Sequence, residues 1–400
     1  MLWYKGDMVA LSPFLALFFA CGGHSTVERP VGAAAATAPT KRRITVDIGG
    51  TADFSSIMDA IKDSDSGDEI WVMPGTYAES VHFKGRSVAV RSTDGAAVTF
   101  LTPPAGESAV EADDGESVGT VFAGFTISGG SSAEARTVEA QFSALTIEDC
   151  IIRGNSAPVI VYAHSGHLVV NRTTIEGNTA TEGMVVQNRR GMTVLKDSTL
   201  RCGTTAVGYM AEHGAAQLDG ATIDCAGLRG VEIYHTPGRI QRTVVDGLLY
   251  VENEGAGGEG TVVEGAVLKA GAEVLYSDLT LRNVVSLAGV KATESNLVVD
   301  SSVISGGACG VWDVMSETSL TYNDFWNNTK DLCGGPNPVG SNGNIDADPL
   351  YVDAASGDYT LAPESPCRET GSVRTDDADP DGTRNDMGAY GGPFSLGGGW

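Results

Sequence analysis

Residues suited to recognition or proton transfer recur in this chain at intervals of one short repeat. The segments "VIVYAH", "VVQNRR", "VGYMAEH", "VEIYH", "YVENE" and "VWDV" carry Tyr162, His164, Arg189, Tyr209, Glu212, His213, Glu232, Tyr234, His235, Glu252, Trp312 and Asp313. Stacked in one strip, they would offer rings for the C–H faces of sugars and polar groups for their hydroxyls. Carboxylates and imidazoles are also the usual acid and base groups of glycoside chemistry. Glu232 and His235, with Glu212 and His213 one repeat below, are the candidates for acid–base catalysis. The bland alternative is that any half-exposed sheet shows polar residues at every second position. A second chemistry lies near the C-terminus, where "DADPDG" puts Asp377, Asp379 and Asp381 at alternate positions before Gly382. That spacing suits calcium, with the Thr383 carbonyl next and Asp386 in place of a closing Glu.

What could hold such a strip is legible in a repeated phrase. "GFTISGG", "DCIIRGN", "RTTIEGN", "DSTLRCG", "GATIDCAG", "RTVVDG", "SSVISGG" and "NDFWNN" centre on Ile127, Ile152, Ile175, Leu200, Ile223, Val245, Ile304 and Trp326. The first six are 22 to 25 residues apart. A period of that size means a solenoid. The short β-branched runs and the absence of helical periodicity make its units strands. The expected fold is all-β: a right-handed parallel β-helix of three short strands per turn and nine or ten coils. Asn155 and Asn178 should stack as a ladder, and the closing Asn and Gly residues should take left-handed turn angles. The stretch from Gly247 to Ser302 is less regular and gives no register.

Equivalent positions on adjacent coils lie about one strand spacing apart, within reach of a disulfide. This pairs Cys202 with Cys225 and, more weakly, Cys309 with Cys333. Cys150 and Cys367 remain over. Upstream, "DFSSIMDAIKD" places Phe54, Ile57, Met58 and Ile61 on one helical face, with Asp53 or Ser55 as N-cap and Gly67 past the end. This helix should close the first coil.

Composition narrows the partners. Fifty-one acidic residues against 26 Lys and Arg give a net charge of −25, which repels nucleic acid and disfavours polyuronates unless a cation bridges them. Residues 1–21 read as a targeting segment that ends Phe18-Phe19-Ala20-Cys21, with Cys21 as a lipidation site. Residues 22–43 are a tether. The N-terminal cap and first coils follow over 44–100, the coils over 101–335, and a C-terminal cap or tail with the acidic loop over 336–400. The expected location is outside the cell, secreted or as a surface lipoprotein, with the lipid as the membrane contact.

"ITVDIGGTADFSSIMDAIKDSDSGDEIWVMPGTYAES" resembles the opening of pectin lyase-like β-helix proteins, and "GNIDADPLYVDAASGDYTLAPESPC" with "DPDGTRNDMGAYGG" resembles the tail of secreted bacterial β-helix repeat proteins. The resemblance implies the fold over about residues 44–393. The catalytic motifs of pectinesterases, polygalacturonases and pectate lyases do not accompany it. Three functions stay open: a surface protein binding polysaccharide or another surface partner, a carbohydrate-active enzyme (lyase, hydrolase or epimerase) with a different catalytic set, and a structural or adhesive rod.

Overall fold

A computed structural model describes residues 41–203, 207–253 and 260–396. Thirty-three strands form one continuous sheet, and every pairing within it is parallel. The pairings run as three ladders, here called faces, with each coil contributing one strand to each. Face 1 starts at Arg43–Val46 and ends at Glu317–Thr321, face 2 runs from Gly75–Tyr77 to Asp324–Trp326, and face 3 from Val81–His82 to Leu332–Cys333. The chain is a right-handed parallel β-helix of about 12 turns, rather than nine or ten.

The central apolar series of the repeat is one column of face 2. Ile127, Ile152, Ile175, Leu200, Ile223 and Val245 are register partners in succession and are fully buried. Beyond Val245 the column passes through Leu268 and Ser286 to Ile304 and Phe325. Trp326, the expected last member, instead pairs with Ser305 and is only partly buried. Through the irregular stretch the turn shortens to 18 residues: Val263 pairs with Leu281 and Leu281 with Val299. A fixed period of 22 to 25 could not find that register. Each buried aliphatic side chain contributes about 1.5–3 kcal/mol through area removed from water, so the thin core is stabilised coil by coil.

Asn155 and Asn178 stack as expected. The Asn155 backbone N–H and its Nδ2 both donate to Asn178 Oδ1 at 3.0 Å. The left-handed angles fall one residue earlier, at Gly154 (φ 66°) and Gly177 (φ 60°). The Asn side chains are therefore free to bridge coils while glycine carries the turn.

The capping helix spans Ile57–Asp63 and buries Ile57, Ala60 and Ile61. Its N-cap is Ser56, not Asp53 or Ser55. Asp53 ties the chain to the first strand by accepting from the Thr45 N–H and hydroxyl. Glu79 supplies the rest of the cap: its carboxylate accepts from the N–H groups of Ile57 and Met58 and from the Ser56 hydroxyl. A carboxylate at a helix N-terminus satisfies orphan donors and opposes the macrodipole. Tyr77, fully buried, donates its hydroxyl to the Met73 carbonyl. The "PGTYAE" text thus closes the end of the stack.

Both expected disulfides are formed, Cys202–Cys225 and Cys309–Cys333, while Cys150 and Cys367 are free and buried. Two disulfides fit an oxidising compartment.

The C-terminal tail lies along the side of face 2. Beside the buried column runs an outward one, made of Thr174, Thr199 and Thr222 and then Val244, Val267, Val285 and Val303. The switch from Thr to Val marks where the tail covers it. Tyr359, Cys367, Met387 and Ala389 pack on Val267, Val285 and Val303 as a second core. Asn283 and Asn385 pair across this junction, and the Gly388 N–H donates to the Ser301 carbonyl.

Candidate functional site

The outward sides of the three faces differ. Face 2 is covered by the tail over its C-terminal half. Face 1 is laced by ion pairs of its own, including Arg91–Glu148 at 2.9 Å and Arg239–Glu264 at 3.2 Å. Face 3 carries the strip read from the sequence.

Register assigns each member of that strip a direction. Glu139, Tyr162, Gln187, Met210, Glu232, Tyr250, Glu273, Lys291 and Trp312 are successive partners in one outward column. Two residues on, Gln141, His164, Arg189, Glu212, Tyr234 and Glu252 form the second. Tyr209 does not belong to either. It pairs with Val186 and Val231 in an inward column and is fully buried, so it fills the lumen and cannot touch a ligand. Asp313 also lies in an inward column, beside Ala292. Near the open end its carboxylate accepts from the Ser316 N–H and the Thr318 hydroxyl, which makes it a turn cap. A period of two places alternate residues on opposite faces, and the sequence strip had mixed the two parities.

Ion pairs run along this surface. Arg189 meets Glu212 at 3.0 Å, Arg229 meets Glu232 at 2.8 Å, Lys291 meets Glu273 at 2.7 Å and Arg136 approaches Glu139 at 3.7 Å. The arginines also cover rings. Arg136 sits 4.5 Å over Tyr162 and Arg229 sits 4.0 Å over Tyr250, leaving those rings 7% and 8% exposed. Arg229 further donates to the Tyr234 hydroxyl at 3.1 Å, and Tyr250 donates to Glu252 at 2.6 Å. Burial and the Glu252 carboxylate push the Tyr250 phenol up, so it stays a donor. Glu232, the first catalytic candidate, is held in an ion pair, and Tyr162 and Tyr234 are parts of a packed polar layer.

The open rings lie at the edge of this layer, in the turn that leaves face 3. Phe142, His213, His235 and Tyr276 take left-handed angles there (φ 51°, 54°, 49° and 51°), as does Met315 (φ 56°). Phe142 is 66% exposed and Tyr276 40%; Trp312, on the neighbouring strand, is 51% exposed. His213 and His235 stack with centroids 4.8 Å apart, and Phe142 meets His164 edge-on at 5.4 Å. The histidines and Trp312 were legible in the strand phrases, whereas Phe142 and Tyr276 stand outside them. Their signal was one residue further, at the turn position of each coil.

A second cluster that sequence reading missed sits at the N-terminal end of face 3. His82, Glu111 and Glu139 are register partners on three coils. His82 Nδ1 lies 2.7 Å from Glu111 Oε2. That contact holds the imidazole pKa up and the Glu111 carboxyl down. Asp113 is raised by burial and by the neighbouring charge of Glu111, and Glu139 is raised by burial. Neighbouring carboxylates whose environments push them in opposite directions are the arrangement that acid–base chemistry uses.

The acidic tail loop is closed on itself. Asp379 accepts from the N–H groups of Asp386 and Gly392, Asp381 from the N–H and hydroxyl of Thr383, and Asp377 from the Ser372 hydroxyl. Asp386 accepts from the Glu369 N–H. Each carboxylate is thus engaged by donors of the tail, and among the described residues no group of three or more His, Cys, Asp or Glu side chains is set to hold a metal ion. Alternate carboxylates before a glycine serve here as turn caps. Cys21 and its lipidation lie outside the described residues. No helix among the described residues is long and apolar enough to cross a membrane.

No known family model matches the chain, and no curated protein does. Solved structures that it is similar to include the catalytic domain of a GH87 α-1,3-glucanase in complex with nigerose (12% identity, TM-score 0.41, 80% of this chain and 70% of that one). Others are the pectate lyase Pel9A (10%, 0.40, 88% and 96%) and the PL6 family alginate lyase AlyGC (13%, 0.40, 82% and 57%). The chain's own register defines it as a parallel β-helix with a helical N-terminal cap, a tail laid along face 2 and an open, ring-edged face 3.

Proposed function

We propose that face 3 binds polysaccharide outside the cell. The observation that carries this reading is the row of open rings at its edge. A left-handed backbone costs a side-chain-bearing residue roughly 1–2 kcal/mol, and Phe142 and Tyr276 recover little of it by burial. The left-handed turn leaving face 1 meets the same demand mainly with polar residues or glycine, namely Asp149, Arg172, Asp197, Gly220, Arg242, Asn283 and Ser301, and its ring, Tyr322, is packed against the tail core. Large rings at the face 3 turn therefore answer to something other than the backbone. Rings with nearby hydroxyl-pairing groups suit sugars. Purified protein should retain soluble glycans on an array, and Phe142→Ala, Tyr276→Ala or Trp312→Ala should each weaken retention about three- to tenfold, the loss of one ring contact. Retention that ignores all three substitutions would place binding elsewhere.

A second reading, glycan cleavage, is favoured by the His82–Glu111–Glu139 cluster. Glu139, raised by burial, is the acid, and Glu111, held ionised by His82, is the base or nucleophile. This moves the catalytic assignment away from Glu232, His235, Glu212 and His213. If the protein releases reducing sugar ends, Glu111→Gln and Glu139→Gln should each abolish turnover while leaving binding intact. Turnover unchanged by either would rule out the pair.

A further inference from the structure

The charge left over on face 3 gives its ligand a sign. Five cations of the face, from His82 to Lys291, are each matched to a carboxylate in the pairs described above. Lys84 and Arg190 at its rim have no ion pair among the described residues. Neither do Asp113, Asp114, Glu252 and Glu294, which lie along the same edge as the rings. The unmatched groups are thus mostly acidic, on a protein that already carries −25. A polyanion would have to break existing pairs and enter a repulsive field. A polymer of protonated amines would meet carboxylates without ion-pair partners, and open rings whose faces attract cations.

The edge is also long. Phe142, Ser165, Arg190, His213 and His235 follow one another in register, and the row continues through Asn253, Tyr276 and Glu294 to Met315. Eight strand spacings at about 4.8 Å make it about 38 Å. A short ligand could meet only one or two of its rings.

We infer that the ligand of face 3 is an extended cationic amino-sugar polymer, of the glucosamine type, lying along the coil axis. This rests on the polysaccharide-binding reading above and specifies its substrate class. The probes are soluble glucosamine oligomers of increasing length, their fully N-acetylated counterparts, a neutral glucan and a polyuronate, titrated by calorimetry at two salt concentrations. Expected are affinity for the amine form at least about tenfold above the acetylated form, weakening with salt, and a rise with length until the chain spans the edge. Glu252→Gln with Glu294→Gln should lower that affinity. Glu317→Gln with Asp376→Asn, exposed acids away from face 3, should not.

Equal binding of amine and acetylated forms, or of the polyuronate, overturns the inference. So does an equal loss in the two double variants, which would mean attraction by net charge alone. Binding of the neutral glucan only would overturn the inference and leave the polysaccharide reading standing. Binding of none of the probes would sink both.

Discussion

Raising the pH from about 4.5 to about 7 is expected to loosen the C-terminal tail, and Asp324→Asn is expected to remove about half of that effect. Asp324 continues the outward column of face 2 after Val303 and is fully buried beneath the tail. One carboxyl oxygen accepts from the Ala347 N–H at 3.0 Å, and the other accepts from the Cys367 thiol at 3.3 Å. Burial pushes its pKa from 3.8 up to about 6, with Asp346 and Asp348 adding to the rise. A carboxyl whose folded pKa lies above its unfolded one binds more protons when folded. Its contribution is fully present below the unfolded pKa and is lost as pH rises through the folded one. A gap of about two units corresponds to about 3 kcal/mol over the whole window, of which about 2 kcal/mol is lost between about pH 4.5 and 7. Asp379, raised to about 6 chiefly by burial, acts in the same direction. Carboxylates held down by arginine, such as Glu148 beside Arg91, lose their contribution only as pH falls below their ordinary value of 4.5, so a comparison made above that pH reads the raised carboxyls. Denaturant unfolding at pH 4.5 and 7 measures the gap, and thiol labelling of Cys367 reports tail opening directly. A gap that Asp324→Asn leaves unchanged would refute the assignment to this residue.

Removing the Cys309–Cys333 disulfide, by replacing both cysteines with serine, should cost about 3 kcal/mol, the loop entropy of a 24-residue separation. The loss should be concentrated at the end of the stack. Leu332–Cys333 is the last strand of face 3 and pairs on one side only, with Val311 and Trp312. The Cys202–Cys225 bridge lies mid-stack, where strands on both sides hold the coil. Hydrogen exchange should therefore show terminal fraying around residue 332 in the first variant and no comparable end effect on removing the mid-stack bridge. Equal, global destabilisation in both would mean that the solenoid unfolds as one unit and that the terminal bridge has no local role.

The stack was readable because each coil solves the same problem. An inward aliphatic must recur once per turn, so Ile127 to Val245 expose the period. That period also carries Cys202 onto Cys225 and Cys309 onto Cys333. The reading failed where the turn shortens to 18 residues, since nothing in Val263, Leu281 and Val299 announces a tighter corner. It failed again in parity. One residue's shift separates Tyr209 in the lumen from Met210 on the surface, and neighbouring residue types alone do not fix which of the two points inward.

The chain's sequence by itself determined the parallel β-helix, its helical cap and both disulfides, because these follow from periodicity and the spacing of adjacent coils. Only the tertiary structure decided which polar residues face a ligand. Exposure depends on what packs over a column: guanidinium groups over Tyr162 and Tyr250, the tail over Val267 to Asp324, and much less over Phe142, Tyr276 and Trp312, the last with the Lys291 ammonium 5.8 Å from its ring centre.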